Sequence, residues 1–173
     1  MDWFEYFLSL GLVGLGRALD IGSTFYASRT LALESNLLAK KLGWKGILIF
    51  NIAVCFFFAI DFYIALVLFV VSALAASNNI EKAWVTQTVG EKEYSEIFKK
   101  WVKQAESRKL FFSNFGGGIL FLSIGTLLMF LTTDLTGFFI GFGFSIFAFA
   151  VMFHRTLAFY KIRKENRKSK TIE

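Results

Sequence analysis

The stretch Gly46–Ala76 decides the fold, and it reads GILIFNIAVCFFFAIDFYIALVLFVVSALAA. Its 31 residues hold a single charged side chain, that of Asp61. One unbroken helix of this length would measure about 46 Å at about 1.5 Å per residue, whereas the hydrocarbon core of a bilayer is about 30 Å thick. The stretch therefore predicts either two membrane helices or one long helix that is strongly tilted or partly re-entrant.

Charge on the two flanks favours two helices joined by a tight turn at Asp61. Both flanks are basic, and short basic segments stay on the cytoplasmic side of a membrane. A single crossing would leave one flank outside, whereas a hairpin returns the chain to the same side. Asp61 is predicted to cap the second helix, because its carboxylate can accept hydrogen bonds from backbone N–H groups that lack a partner. The basic residues are Arg29, Lys40, Lys41 and Lys45 before the stretch, and Lys82, Lys92, Lys99, Lys100, Lys103, Arg108 and Lys109 after it.

The composition as a whole agrees with a membrane protein. Hydrophobic residues make up 55% of the chain and charged residues 18%, against about 25% charged in a soluble domain. The apolar runs predict an all-α polytopic membrane helix bundle. The distribution of basic residues predicts that its N-terminus lies outside and its C-terminus in the cytoplasm. The expected location is a bacterial or archaeal cell membrane. One transmembrane domain, residues 1–160, precedes a basic cytoplasmic tail, residues 161–173. A four-span alternative keeps Gly46–Ala76 as one helix. The five predicted spans are residues 3–27, 36–59, 62–82, 110–131 and 135–158.

The polar segment between the third and fourth spans, residues 83–109, predicts a cytoplasmic amphipathic helix. In its second half, apolar residues recur at helical spacing while lysines occupy the opposite face. Such a helix is typical of a membrane surface, so the bilayer and its anionic lipids on the cytoplasmic face are expected partners, and a partner subunit is the alternative. The apolar face comprises Tyr94, Ile97, Phe98, Trp101 and Ala105, and the basic face comprises Lys99, Lys100 and Lys103.

Two ionisable residues inside the first span, Arg17 and Asp20, mark a candidate site. Such a group at the centre of a membrane helix costs about 2.5–3.5 kcal/mol, so it is expected to face protein and to serve a function. The two residues are spaced to pair, and Ser23 and Thr24 continue along the same side of the helix. Polar residues of other segments lie at the same predicted depth, which indicates an ion- or ligand-binding site or a structural hydrogen-bond network. These are Glu34, Asn36, Asn78, Asn79, Glu81, Ser113, Asn114 and His154.

Motifs for catalysis and metal binding are absent from the sequence. Cys55 is the only cysteine and His154 the only histidine, which excludes an intrachain disulfide and a paired-histidine metal motif. No nucleophile elbow and no phosphate-binding loop is present, so an enzyme is the less favoured class and no cofactor can be assigned. His154 is expected at the membrane interface beside Arg155, with a supporting role at the site as the alternative. The basic residues that give the chain its net charge of +6 lie beside the apolar runs, so this charge does not indicate nucleic-acid binding.

Three short motifs resemble a small uncharacterised family of bacterial and archaeal multi-pass membrane proteins. They are Leu19-Asp20-Ile21-Gly22-Ser23-Thr24, Leu33-Glu34-Ser35-Asn36 and Asn78-Asn79. The family is similar in having an Asp followed by Ser/Thr late in its first helix, a Glu-x-Asn before its second and an Asn ending its third. The resemblance covers about residues 17–80, and Leu37 stands where that family usually has proline. It implies a single site formed by Asp20, Ser23, Thr24, Glu34, Asn36 and Asn79.

These observations lead to three functional hypotheses. The first is a small transporter, channel or ion- or ligand-binding protein whose polar site opens to the cytoplasm, centred on Asp20 and Glu34. The second is an accessory or assembly subunit that uses its helices and its amphipathic segment to hold a larger membrane complex. Glycine-rich helix faces indicate tight packing and self-association. The third is an enzyme acting on lipid headgroups, with Glu34 or His154 as its base. Arg17, Asn78 and His154 are the predicted supporting residues of the site.

Overall fold

The computed structural model describes residues 2–31 and 37–169 of the chain, with side chains in 2–31 and 41–165. This described part is all-helical and contains no strand, as predicted for the fold class. Glu34 and Asn36 lie outside the described residues. The helices are α1 Trp3–Ala27, α2 Leu37–Phe58, α3 Phe62–Val89, α4 Glu91–Gln104, α5 Ser107–Leu131 and α6 Leu135–Ser169.

The apolar stretch around Asp61 forms two helices, as its length and its flanking charges predict. Helix α2 ends at Phe58 and α3 begins at Phe62. Asp61 has an extended backbone, and its side chain accepts a hydrogen bond from the backbone N–H of Ile64 at 2.9 Å. The carboxylate therefore satisfies one of the backbone donors that would otherwise be unpaired at the start of α3. Both the turn and the helix cap are confirmed.

Four helices are long and apolar enough to cross a membrane, which is the pattern of a multi-pass membrane protein. They are Lys41–Phe58, Phe62–Val89, Ser107–Leu131 and Leu135–Glu165. Helix α1, the predicted first span, has 25 residues but is not one of these four, and it carries the charged residues Glu5, Arg17 and Asp20.

Two helices run further than the hydropathy of the sequence predicts. The third span was expected to end at residue 82, but α3 continues to Val89. The fifth was expected to end at residue 158 and to be followed by a tail, but α6 continues to Ser169. A helix satisfies its own backbone hydrogen bonds in lipid and in water alike, so it ends where the backbone is interrupted and not where the side chains become polar. For α3 that interruption is Gly90, whose φ of 88° suits glycine.

Helices α1 and α3 lie side by side and run parallel. A Cβ added at Gly16 would lie 3.0 Å from the Cα of Phe69, so a residue larger than glycine does not fit between the two backbones without a shift. Further along, the Asn79 side chain contacts Thr24, and the Thr86 hydroxyl donates to the carbonyl oxygen of Ala27 at 3.0 Å. The contacts advance together along both helices, so α1 follows α3 from Gly16 to Ala27.

Helices α5 and α6 form an antiparallel hairpin that packs on α3. Gly125 and Gly141 allow a close approach, because a Cβ at Gly125 would lie 2.6 Å from the carbonyl oxygen of Gly141. Helix α6 in turn lies along α3 in the same direction, with the rings of Tyr63 and Phe139 stacked 4.8 Å apart. Arg155 donates to the side-chain oxygen of Asn78 at 3.1 Å near the other end. Helix α3 therefore lies between α1 and α6.

The basic residues gather at one end of this bundle, which also holds the glutamates of α4 and of the late parts of α3 and α6. The end where α1, α3 and α6 approach their C-termini, which we call the basic end, holds every described lysine and arginine except Arg17. The opposite end carries acidic residues, Asp2, Glu5, Asp61 and Asp134. This one-sided distribution is the one that the positive-inside rule requires of a membrane protein.

Helix α4 lies at the basic end and packs on α6. Its Val102 is 2% exposed, and the rings of Phe98 and Phe159 lie 6.3 Å apart. Trp101 is 60% exposed, so the predicted apolar face divides into residues that contact protein and a tryptophan that does not pack into the bundle. Ala105 follows the last helical residue and caps the helix. Contact of α4 with a membrane surface stays a prediction.

Candidate functional site

Arg17 is the central residue of the candidate site, because its guanidinium contacts three helices. Its Nε donates to Oδ1 of Asn51 on α2 at 2.5 Å, and its Nη1 donates to the Ser72 hydroxyl on α3 at 3.1 Å. Nη1 also lies 3.0 Å from Oδ2 of Asp20, one turn further along α1. The predicted pairing of Arg17 with Asp20 is confirmed, and Asn51 makes a hydrogen bond between α1 and α2.

The ion pair is not sealed from its surroundings. Asn51 and Ser72 are buried, with 6% and 1% of their surface exposed, whereas the side chains of Arg17 and Asp20 keep 23% and 21%. The buried partners hold the guanidinium on one side. Part of each of these two side chains thus stays exposed.

Ser23, Thr24 and Asn79 meet one helical turn nearer the basic end. The Asn79 amide nitrogen donates to the Thr24 hydroxyl at 2.9 Å and to the Ser23 hydroxyl at 3.3 Å. The Ser23 hydroxyl donates to the carbonyl oxygen of Asp20 at 2.9 Å. The structure thus brings together five of the residues predicted from the sequence, Arg17, Asp20, Ser23, Thr24 and Asn79. With Asn51 and Ser72, they form what we call the polar seam, which comprises Arg17, Asp20, Ser23, Thr24, Asn51, Ser72 and Asn79.

Nearer the basic end than the polar seam, the side chain of Glu91 holds the turn that follows α1. Its carboxylate accepts hydrogen bonds from the backbone N–H of Arg29 at 2.5 Å, from that of Thr30, and from the hydroxyls of Ser28 and Thr30. Burial opposes ionisation of Glu91, but these hydrogen bonds outweigh burial and lower the pKa of its carboxyl below the usual value. The start of α4 is thereby tied to the end of α1.

Other predicted residues lie apart from the polar seam. Asn78 faces α6, where Arg155 contacts it, while Asn114 lies in the α5–α6 hairpin and donates to the carbonyl oxygen of Met152 at 3.1 Å. His154 is exposed, with its ring 5.9 Å from that of Phe153. The structure therefore places Asn78 against α6 and Asn114 within the α5–α6 hairpin, because α5 packs on α6 while α1 packs on α3.

The sequence did not predict the contacts of two residues, Ser72 and Glu91. Ser72 lies in an apolar run, and only the packing of α1 on α3 shows that it contacts Arg17. A buried cation needs several hydrogen-bond acceptors. A hydroxyl at the depth of Arg17, such as that of Ser72, was therefore the feature of the sequence that could have indicated the contact. Glu91 follows Gly90 in a polar segment, and its contacts with residues 28–30 leave no local pattern.

The chemistry of the polar seam is that of hydrogen bonding and of one ion pair. Within residues 2–31 and 37–169, no group of three or more His, Cys, Asp or Glu side chains could hold a metal ion. The seam offers one guanidinium, one carboxylate, three hydroxyls and two amides, which suit a small solute with both polar and charged groups. Comparisons with protein-family models, with curated proteins and with solved structures found no match.

Proposed function

We propose that this chain is a five-span membrane protein that binds a small polar solute at the polar seam, as a small transporter or ligand-binding protein. The observation that carries the proposal is the ion pair of Arg17 and Asp20. Both residues belong to α1, which packs in the bundle, and both side chains are partly exposed. A charged pair at membrane depth is costly, so its retention points to a function. Membrane proteins commonly keep such groups along the path of a substrate or ion.

Five spans follow if α1 crosses the membrane beside α3. The contacts between these parallel helices extend from Gly16 to Ala27, so a membrane that α3 crosses also surrounds α1. Pairing of Arg17 with Asp20 removes the net charge of this segment and lowers the cost of its insertion. By the positive-inside rule the basic end then lies in the cytoplasm and the N-terminus outside.

Helix α2 is the element best placed to open the polar seam. In the most apolar part of α2 only 6% of the residues are buried, against 28% in α3 and 33% in α6. Helix α2 is also kinked at Gly43, where φ is 61°. It contributes Asn51, whose side-chain oxygen accepts a hydrogen bond from Nε of Arg17. We propose that outward movement of α2 lets a solute replace Asn51 at the guanidinium. A carboxylate or another anionic oxygen is the group that Arg17 would recognise.

A thermal-shift screen of purified protein tests this proposal, because a ligand that binds the folded state raises the melting temperature. Wild type, Asp20→Asn and the control Asp61→Asn are compared against amino acids, carboxylates, nucleotides and inorganic cations. Asn also caps helices, so the control removes one carboxylate without disturbing the fold. We expect a compound that stabilises wild type and the control but not Asp20→Asn. Equal stabilisation of all three proteins, or none by any compound, contradicts a solute site at the seam.

A second candidate function, an accessory subunit, is favoured by one surface of α1. A Cβ added at Gly11, Gly14 or Gly22 would meet nothing within 4 Å among the described residues, and Ala18 on the same face is exposed. Small residues at such spacing let a further helix approach closely. Ala18→Leu is expected to abolish copurification of a partner, or self-association, if this surface is an interface, and to leave the ligand response unchanged.

A further inference from the structure

A groove opens between the start of α5 and the far part of α6, on the other side of the bundle from the polar seam. Its volume is about 200 Å³. One wall is apolar, and polar groups of Asn114 and Arg163 lie along it. Tyr160, at its rim, is 64% exposed. The apolar wall includes Leu110, Phe111, Phe115 and Phe159.

Arg163 lines this groove and keeps two N–H donors without a partner among the described residues. Its guanidinium donates through Nε to the carbonyl oxygen of Val102 at 3.3 Å, through Nη1 to the Ser107 hydroxyl at 2.5 Å and through Nη2 to the carbonyl oxygen of Ala105. A guanidinium has five N–H groups, so one hydrogen on each Nη has no partner among the described residues. These three contacts hold the planar group in place, as recognition of a phosphate requires.

Asn114 adds an unpaired acceptor to the same wall. The residue is 2% exposed, and its amide nitrogen donates to the carbonyl oxygen of Met152 and to the Thr156 hydroxyl at 2.8 Å. Its Oδ1 is buried and has no hydrogen-bond partner among the described residues. Leaving a buried acceptor unpaired costs free energy, because the group loses its hydrogen bonds to water. A hydroxyl or ammonium group bound in the groove, after a small shift of the amide, would remove that cost.

The surroundings of the groove are basic. Lys164 Nζ lies 6.0 Å from the ring of Tyr160, and Lys109 pairs with Glu106 at 3.6 Å on an exposed surface. The groove thus combines an apolar wall with a cationic rim at the end of the bundle where lysines and arginines gather. The cations in this region are Arg108, Lys109, Lys161, Arg163 and Lys164, and the carboxylates are Glu106 and Glu165.

We propose that this groove binds an anionic phospholipid. Its phosphate would accept from the two remaining donors of Arg163, a headgroup hydroxyl or amine would approach Asn114, and the first part of an acyl chain would lie on the phenylalanines. A volume of about 200 Å³ accommodates the headgroup region while the rest of the chains stays in the bilayer. The bound lipid would link α4, α5 and α6, because Arg163 contacts the residues between them. This site is independent of the polar seam.

The test compares lipids by thermal shift on the full-length protein in a neutral detergent. Phosphatidylglycerol and phosphatidylcholine with identical chains are titrated, together with glycerol 3-phosphate and inorganic phosphate. We expect phosphatidylglycerol to bind at least tenfold more tightly than phosphatidylcholine in wild type. Arg163→Gln should lose most of that preference, while Lys99→Gln, an exposed cation of α4 outside the groove, should retain it.

Three outcomes would overturn the proposal. Equal affinity for the two lipids shows that charge is not recognised, and an equal loss in Lys99→Gln shows general attraction to the basic end. A response to inorganic phosphate as strong as that to phosphatidylglycerol shows a site for free anions. Should Arg163→Gln fail to fold, a photoactivatable acyl chain of phosphatidylglycerol is crosslinked to wild type. Crosslinks within residues 110–115 and 156–160 support the groove, and crosslinks spread over all lipid-facing helices contradict it.

Discussion

The guanidinium of Arg17 lies 3.0 Å from the carboxylate of Asp20, one turn away on the same helix, and the two groups share the interior of the bundle with Asn51 and Ser72. The pair is therefore local in sequence while its hydrogen-bond partners come from two other helices. Folding of α1 alone can form the ion pair, and only the packing of α2 and α3 completes the coordination of the guanidinium. The pair thus couples insertion of α1 to the assembly of three helices.

Removal of one member of this pair should destabilise the protein more than removal of both. Asp20→Asn leaves Arg17 without a countercharge, which costs about 3–5 kcal/mol for a buried pair. We expect a value toward the lower limit, because each side chain keeps about a fifth of its surface exposed. In denaturant unfolding, the double variant Arg17→Gln with Asp20→Asn should lose less stability than Asp20→Asn alone, and therefore less than the sum of the single losses. Strictly additive losses would mean that the two charges do not interact.

The glycine contact between α5 and α6 should tolerate no larger residue. In Gly125→Ala the added carbon would lie 2.6 Å from the carbonyl oxygen of Gly141, so the helices must separate, at a cost of about 1–3 kcal/mol. The matched control is Gly117→Ala, where the new carbon meets nothing within 4 Å among the described residues. We expect the control to keep or slightly raise the melting temperature, since alanine favours the helix. Similar melting temperatures for both variants would contradict close packing at Gly125.

The sequence predicts the number and order of the helices better than their ends. Hydropathy and charge determine which segment stays in lipid and which side each loop occupies, so the turn at Asp61 could be placed. The ends of α3 and α6 could not, because backbone hydrogen bonding continues past the last apolar turn. For α3 the information lay in Gly90, which takes a backbone conformation that suits glycine.

The candidate site was predictable where helical spacing determines it. Asp20, Ser23 and Thr24 share one side of α1, and Asn79 meets that side because α1 and α3 run parallel. Ser72 depends on the register between these helices, which hydropathy does not encode. Asn114 lies away from the polar seam because α5 pairs with α6. Its predicted depth in the membrane is the same as that of the seam, so depth alone cannot show whether it belongs to the seam.

Glu91 should make the stability of the turn after α1 depend on pH. The pKa of its carboxyl in the folded state lies below 4.5, the usual value for a glutamate of the unfolded chain, so folding favours the ionised form. Its contribution is fully present above about pH 4.5 and is lost as the pH falls from there through the lower folded-state pKa. We expect Glu91→Gln to lower the free energy of unfolding at neutral pH by about 1–2 kcal/mol.

Glu93→Gln is the matched control for this pH dependence. Glu93 lies in the same first turn of α4 and is exposed, so its replacement removes an equal charge and an equal interaction with the helix dipole. In denaturant unfolding at several pH values, the difference between wild type and Glu91→Gln should shrink below pH 4.5, and that for Glu93→Gln should stay small. A constant difference for Glu91→Gln down to low pH would show that its hydrogen bonds do not depend on the charge.

The orientation of the five proposed spans can be measured by cysteine labelling in intact cells. In a Cys55→Ala background, Phe4→Cys and Ile60→Cys lie at the acidic end, and Lys99→Cys lies at the basic end. Phe4 and Ile60 are 72% and 61% exposed, so both positions are open to a reagent once they are outside the lipid. A membrane-impermeant maleimide should label the two acidic-end cysteines and should reach the one at Lys99 only after permeabilisation. If α1 lay on the cytoplasmic surface instead of crossing, the cysteine at Phe4 would be protected while that at Ile60 was labelled. Such a result would remove Arg17 and Asp20 from membrane depth, and with them the reason to treat the polar seam as a functional site.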